Sequence, residues 1–354
     1  MPQVAVISPV PGDEIAARHV ARLAAHGAKV TVSGYLDPLP GHADAIFVFG
    51  PFGTLAPLIR QLDGCEPGSR PALVLLQGEQ LPNPDRPEWL VNRLGDLRSA
   101  LEMKAYRRQE DGSWQVRPGW ERVIRSGLRL RYHGDLRRLR RLGLLNGLMV
   151  WSRWTADYLN DRGFPCVPLP PQYNPAWGAD LQLERDIPVL WLGKAGSARR
   201  ARNLQRVRSD LRSRGIDLLV VDGREHPYVF GQDRTRLLNR TRIVLNLLRE
   251  KWDNNSLRFQ LAAHNGALVV GEPTLPHTAF EPGLHWVAAP VDELAETIAC
   301  YLENEEERAR IAGRARELLE TSARGSDLIV EQVFRVARFK CHPERSEGSL
   351  ESNA

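Results

Sequence analysis

The sequence predicts an α/β chain of two doubly wound parallel-sheet domains, and three observations carry that prediction. Short β-branched and leucine-rich runs of strand length alternate with helical stretches on both sides of a proline-rich connector, Pro165–Pro175. The loops after those runs are rich in Gly, Pro, Asn, Asp and Ser, and ligands of open parallel sheets bind at such carboxyl ends. At 354 residues the chain has length for two apolar interiors, and its 42% hydrophobic and 26% charged content sits near globular averages.

The first domain opens with a buried strand at Val4–Ser8 and a Pro9/Pro11/Gly12 turn. A helix follows from Asp13 to His26, with Ile15, Ala16, Val20, Leu23 and Ala24 at helical spacing, and Gly27 stands where a C-capping glycine would. Lys29–Ser33, Ala45–Phe49 and Ala72–Leu76 read as strands, with a helix over Leu55–Leu62. From Leu101 to Leu145 an arginine-dense section interrupts this rhythm, and Leu128, Leu130, Leu136, Leu139 and Leu142 predict a helical insertion with its leucines inward. Gly147–Trp151 resumes the sheet, and Trp154–Arg162 is a helix. The boundary falls near Pro175, giving domains over 1–175 and 176–340. The polar tail 341–354 has no apolar period and is expected to be disordered.

In the second domain Val189–Leu192 and Leu218–Val221 are strands, joined by GKAGSARRARN and a helix to Arg214, and the turn Asp222/Gly223 follows. Strands at Ile243–Leu248 and Ala267–Val270 flank a helix beginning near Leu257, which makes a βαβ unit.

Composition narrows the function classes. Cys65, Cys166, Cys300 and Cys341 are scattered without a CxxC pair, so neither a disulfide framework nor a zinc site is expected and a reducing compartment fits. No run approaches the roughly 20 apolar residues of a membrane helix, and MPQVAVISPV lacks a basic start and a cleavage site, which predicts a cytoplasmic chain. The net charge of +5 rests on arginine, with lysine only at Lys29, Lys104, Lys194, Lys251 and Lys340; such a bias often reflects genome composition, and no nucleic-acid partner is expected. The full GxGxxG pattern of NAD enzymes is absent.

Several residues are placed to do chemistry. Gly193 ends a strand, where a glycine lets a ligand approach the backbone, and Lys194, Arg199 and Arg200 lie beside the next helix start, an arrangement suited to phosphate. The competing reading is that these cations cover a solvated helix face. Asn255 or Ser256 can cap the helix near Leu257, and Arg258, one turn in, offers a planar fork to a phosphate or an ion pair to Asp253 or Glu272. Glu272 ends a buried strand and can accept two hydroxyls, while Gly283 turns a loop carrying His277 and His285 as donors or as structural histidines. In the first domain the strand-end loops carry Gly12, Gly50–Gly53 and Gln77–Gln80. Glu79 is the acid of the latter two loops, and it reads as a general base or as the cap of the turn before Leu81.

Leu245, Asn246, Ser256, Arg258, Gly266, Ala267, Glu272, Phe280, Pro282 and Gly283 follow one order: a strand ending in LN, an S-x-R helix, a G-A strand, a glutamate and an F-x-P-G loop. In this the chain resembles the GT-B fold glycosyltransferases, particularly the CgeB-like, group 1 branch. The resemblance implies two Rossmann-like domains facing an interdomain cleft. It implies a hexosyltransferase-like activity that moves a sugar from a nucleotide diphosphate sugar to a hydroxyl acceptor, whether glycan, small molecule or lipid-linked. Gly193, Lys194, Arg199, Arg200, Asn255, Ser256, Arg258, Glu272, His277, Phe280 and Gly283 would then serve the donor, Gly12, Gly50, Gly53 and Gln77 the acceptor side, and Glu79 the base. No metal or other cofactor is expected, because cations and helix ends would neutralise the leaving diphosphate. The resemblance also implies a ribose-holding glutamate where this chain has Leu261, which moves the expected acid to Glu272. The alternative is a degenerate GT-B protein that binds nucleotide, glycan or partner without turnover. Arg122–Arg141 would supply a peripheral contact to anionic lipid or a lipid-phosphate acceptor.

Overall fold

The computed structural model describes residues 1–8, 14–50, 54–171, 173–253, 256–275, 279–322 and 325–341. They form two compact units, one of Met1–Trp151, Thr155–Leu169 and the chain from Ser326, the other of Ser152–Trp154 and Pro170–Gly325.

The first unit begins β1 (Gln3–Ile7), α1 (Glu14–Ala25), β2 (Lys29–Ser33), β3 (Ala45–Gly50), α2 (Ala56–Asp63) and β4 (Ala72–Gln77). After β4 come α3 (Glu88–Ala105), the hairpin β5 (Tyr106–Arg108) and β6 (Trp114–Val116), α4 (Glu121–Arg125) and α5 (Leu128–Arg141). Then β7 (Leu145–Val150), α6 (Arg153–Asn160) and β8 (Val167–Pro168) follow. The sheet is parallel in the order β2-β1-β3-β4-β7-β8. Strands β3 and β4 are buried at every position, as strands covered on both faces must be, which is why they read as unbroken apolar runs. Gly27 ends α1 as expected: at φ +89° its N–H donates to the Ala24 carbonyl and Ala28 N–H to that of Leu23, a pair of bonds that satisfies two orphan carbonyls. The same pair recurs at Gly143, Gly163, Gly215 and Gly266.

The second unit contains β9 (Ile187–Leu192), α7 (Ala198–Ser213), β10 (Leu218–Val221), α8 (Gly231–Asn239), β11 (Thr241–Asn246), α9 (Ser256–His264), β12 (Leu268–Gly271), β13 (Val287–Ala288), α10 (Leu294–Glu303) and α11 (Glu305–Thr321). Its parallel sheet runs β10-β9-β11-β12-β13 over a core centred on Trp191, Val207, Leu245, Leu268 and Ile298. The last helix, α12 (Gly325–Cys341), places Ile329, Val330, Val333, Val336 and Ala337 in one core with Val4, Phe47 and Leu76. Where the sequence reading ran the second domain to residue 340, the apolar face of this helix is therefore covered by the first sheet. The tail expected to be disordered falls, from His342 on, outside the described residues. Among the described residues no helix is long and apolar enough to cross a membrane.

The leucine-inward expectation for the arginine-dense insertion holds at Leu136 and Leu139 of α5, which are fully buried, while Leu130 and Leu142 are half-buried. Helix α3, which packs on α5, turns a polar face inward. Glu102, fully buried, accepts from Arg98 Nη1 at 2.7 Å and Arg131 Nη1 at 3.3 Å, and Ser99 Oγ donates to Asp135 Oδ1 at 2.7 Å. Arg98 also donates to the carbonyls of Val123, Ile124 and Ser126, tying α4 to α3. Glu102 is shared by two arginines and Arg98 has three further carbonyl partners, which offsets the cost of burying these charges. The two helices touch at Gly95 and Gly134, where a Cβ on Gly134 would lie 2.0 Å from the Gly95 carbonyl oxygen.

Two outcomes follow. Gly134→Ala must push α3 and α5 apart and is expected to cost about 1–3 kcal/mol in urea unfolding, whereas Gly41→Ala, with open space at its Cβ, is expected to cost little. Burial raises the Asp135 carboxyl to about 7, against the opposing pull of Ser99 and Arg131. Its folded pKa lies above the unfolded value, so the folded chain binds the extra proton and wild-type stability falls as pH rises from about 4 through 7. Asp135→Asn lacks this proton uptake, so its melting temperature relative to wild type should improve between pH 5 and pH 8.

Candidate functional site

The second sheet reverses its winding between β9 and β11, with β10 lying outside β9 and β12 outside β11. The crevice beyond the carboxyl ends at such a switch point is where open α/β sheets hold ligands. The loops emerging there are Gly193–Ser197 after β9 and Leu247–Asp253 after β11. Gly193, at φ +112°, donates its N–H to the Val221 carbonyl at 2.9 Å, while its own carbonyl accepts from Trp191 Nε1 at 2.7 Å. This fixes the loop over the Trp191 ring. Ser197 then caps α7, its Oγ accepting from Arg200 N–H at 3.2 Å and donating to the Arg249 carbonyl at 3.0 Å.

Beneath the loop four arginines meet two buried carboxylates. Asp253 Oδ2 accepts from Arg200 Nη2 at 3.3 Å, Arg249 N–H at 3.1 Å and Arg249 Nε at 3.4 Å. Glu272 accepts from Leu248 N–H at 3.0 Å, Arg199 Nη1 at 3.2 Å and Arg199 Nη2. Arg258 donates to Asn246 Oδ1 at 2.7 Å and the Leu192 carbonyl at 3.1 Å, its guanidinium 4.4 Å from the Trp191 ring centroid. Burial, then the neighbouring Arg200 charge, lowers Arg258 to about 9, with Asp253 opposing. Burial likewise lowers Arg200 to about 10. Both therefore remain cations at neutral pH.

Beside this cluster lies an open pocket of about 720 Å³, lined by Lys194–Ala198 at the start of α7 and by Asp222–Arg224 and Tyr228 after β10. Its size falls within the range of small-ligand sites. Lys194 is exposed, its Nζ 5.9 Å from the Tyr228 ring centroid. Asp222 Oδ1 accepts from Arg224 and Glu225 N–H groups, bonds that, with the Glu225 contact largest, hold its carboxyl below the usual range. The Tyr228 hydroxyl is buried and has no hydrogen-bond partner among the described residues.

The donor-side candidates separate by position. Gly193, Lys194, Arg199 and Arg200 gather at the β9 loop and the α7 start, with Lys194 open to solvent and Arg200 only 4% exposed. Arg258 sits on the floor, donating to Asn246 and to the Leu192 carbonyl. Glu272 holds Arg199. Leu261 is buried in the helix α9. Phe280 stacks on Phe259 at 5.6 Å, with its carbonyl accepting from Trp286 Nε1, so it anchors the Gly283 loop, and Gly283 turns that loop at φ +79°. His285 Nδ1 accepts from Glu281 N–H at 3.0 Å, leaving Nε2 as its donor. Asn255 and His277 lie outside the described residues, as does the Ser256 side chain.

In the first unit Gly50 and Gln77 end the neighbouring strands β3 and β4, where Gly78 N–H donates to the Gly50 carbonyl at 2.8 Å. Gln77 is buried and its Nε2 donates to the Glu79 carbonyl at 3.0 Å, which fixes the backbone that carries the half-buried Glu79. Gly12 and Gly53 lie outside the described residues. The sequence reading missed Asp253 as the hub, and Trp191, Asp222 and Tyr228 as parts of the site. The turn at Asp222/Gly223 was a visible signal for the loop, whereas Tyr228 had none.

Residues 199–324, from α7 through α11, match the family model of glycosyl transferase-like proteins. No curated protein sequence matches the chain. Among solved structures it is similar to HepE of Anabaena, solved in complex with UDP, at 11% identity and TM-score 0.55 over 96% of this chain and 100% of that one. It is similar to the sucrose-phosphate synthase of Thermosynechococcus elongatus at 13% identity and TM-score 0.56, over 96% and 98%. TarM of S. aureus gives 8% identity and TM-score 0.53 over 83% of this chain, which spans about half (54%) of the TarM chain. The likeness is one of fold.

Asp253→Ala removes the acid shared by Arg200 and Arg249 while their guanidinium groups stay packed at the switch point. It should cost about 3–5 kcal/mol in denaturant unfolding, the range for breaking a buried pair from one side.

Proposed function

We propose that this chain, a GT-B fold protein whose second unit carries a glycosyl transferase-like family segment, is a glycosyltransferase using a nucleotide diphosphate sugar. The observation that carries the reading is the pocket between the loops after β9 and β10, where Lys194 and the N-terminus of α7 meet, with Arg199 in the first turn of that helix. The first-turn amides of a 16-residue helix lack intrahelical partners and bear the positive dipole end, so a diphosphate is the anion best matched to them. The transfer breaks the bond from the anomeric carbon to the diphosphate oxygen and forms one to the acceptor oxygen. Negative charge grows on the departing diphosphate, and Lys194, Arg199 and the helix end are the groups that stabilise it in this reading, without a metal or other cofactor.

The acids divide the remaining work. Glu272 orients Arg199 through two bonds and serves the donor through that guanidinium. With Leu261 buried where the family resemblance implies a ribose-holding glutamate, Asp222 is the pocket-lining carboxylate that can accept donor hydroxyls. Glu79, at the carboxyl edge of the first sheet, is the base assigned to the acceptor hydroxyl, whose proton it takes as the new bond forms. The acceptor is a hydroxyl-bearing glycan, small molecule or lipid-linked sugar, and the cytoplasm, where nucleotide sugars are made, is the assigned site of action.

Calorimetry with UDP, GDP and dTDP tests this. At least one should bind, and Arg199→Ala should weaken it by roughly ten- to hundredfold, the worth of a charge-assisted contact. Asp222→Asn should weaken the nucleotide about tenfold and leave inorganic pyrophosphate unchanged. No binding of any of the three would reject the reading.

A further inference from the structure

Helix α3 is inverted relative to an ordinary surface helix. Its inward face, which packs on α5, carries Gly95, Arg98, Ser99 and Glu102. On the opposite side Trp89, Arg93, Leu94, Leu97, Leu101 and Lys104 fall within an arc of about 140° at 3.6 residues per turn. Trp89 is 66% and Leu97 57% exposed, Arg93 and Lys104 are exposed, and the two flanking leucines are half-buried. A helix that turns charges inward and leucines outward leaves an apolar stripe uncovered, and such stripes mark interaction surfaces.

The charge around the stripe selects what covers it. Asp96, at its edge, is held by both Arg137 and Arg141 of α5, so the one carboxylate there carries a surplus of positive charge beside it. From Arg86 to Arg141 the sequence has 15 Lys and Arg against 7 Asp and Glu, in a chain whose whole net charge is +5. A second copy of the chain would set Arg93, Lys104 and Arg141 against like charges. A nucleic acid would use the cations and leave Trp89 and Leu97 without purpose. The face is also convex, a single helix rather than a groove, which suits a deformable partner. Of the arginines first assigned to a lipid contact, Arg131 is buried on Glu102 and Arg138 is bonded to Ser99, so they build the interior behind this face.

We infer that the outward face of α3, with Trp89 and Leu97 as its apolar contacts and Arg93, Lys104, Arg137 and Arg141 as its cations, docks the protein on an anionic lipid surface. An apolar stripe bordered by basic side chains is the composition of helices that lie in the headgroup region, with aromatic rings at the boundary and alkyl stems of Lys and Arg along the acyl surface.

Flotation of the full chain with vesicles tests the inference, using pure phosphatidylcholine and phosphatidylcholine mixed with phosphatidylglycerol. The chain should float with the mixed vesicles and not with the neutral ones, and added salt should release it. Trp89→Ser combined with Leu97→Ser should lower partitioning by roughly tenfold or more, as should Arg93→Glu combined with Lys104→Glu. These side chains are exposed, so circular dichroism should be unchanged. Failure to float, equal binding to both vesicles, or binding unaffected by both double variants overturns the inference. So does a soluble dimer or a protein complex dispersed by Leu97→Arg, which would assign the face to a protein partner.

Discussion

Four guanidinium groups and two buried carboxylates set the carboxyl edge of the second sheet, and the candidate site is organised around that balance. Asp253 takes Arg200 and Arg249, Glu272 takes Arg199, and Arg258 donates to Asn246 and the Leu192 carbonyl with the Asp253 charge also favouring its cation. Desolvation makes such a cluster costly unless every guanidinium has bonded partners, and satisfying it fixes the loops after β9 and β11 relative to each other. The Gly193 loop, the Ser197 cap and the start of α7 are held together by these protein contacts. A pocket lined by Lys194 and the N-terminus of α7 lies beside this cluster. Preorganised positive charge of this kind stabilises a diphosphate leaving group without rearrangement.

How much of this was legible depended on how many residues each feature needs. Strands β3, β4 and β11 are buried on both faces and announce themselves as apolar runs, and Gly27 marked the end of α1 by the left-handed conformation its position requires. The hairpin β5–β6 has three residues per strand, too few for an alternating pattern to show. The return of α12 to the first sheet had no local signal either, since its apolar face fits a core of either unit and only the packing decides.

The site was legible as a neighbourhood and not as a set of contacts. Gly193, Lys194, Arg199 and Arg200 could be picked from a glycine and cations at a strand-to-helix turn. Which of them is buried could not, because Arg199 and Arg200 are adjacent in sequence and differ only in the face of α7 they occupy. The pairing of Glu272 with Arg199 links residues 73 apart and needs the β9–β11–β12 register to bring them together. The polar inward face of α3 had no local signal, because it depends on partners from α5: Glu102 pairs with Arg131 and Asp135 accepts from Ser99.

The central claim is that this positively charged edge receives a nucleotide diphosphate. A crystal structure with UDP, GDP or dTDP soaked in tests it most directly. The account predicts phosphate oxygens within hydrogen-bond reach of the first-turn amides of α7 and of Arg199 or Lys194, with the ribose toward Asp222. A nucleotide bound away from the start of α7 would contradict it.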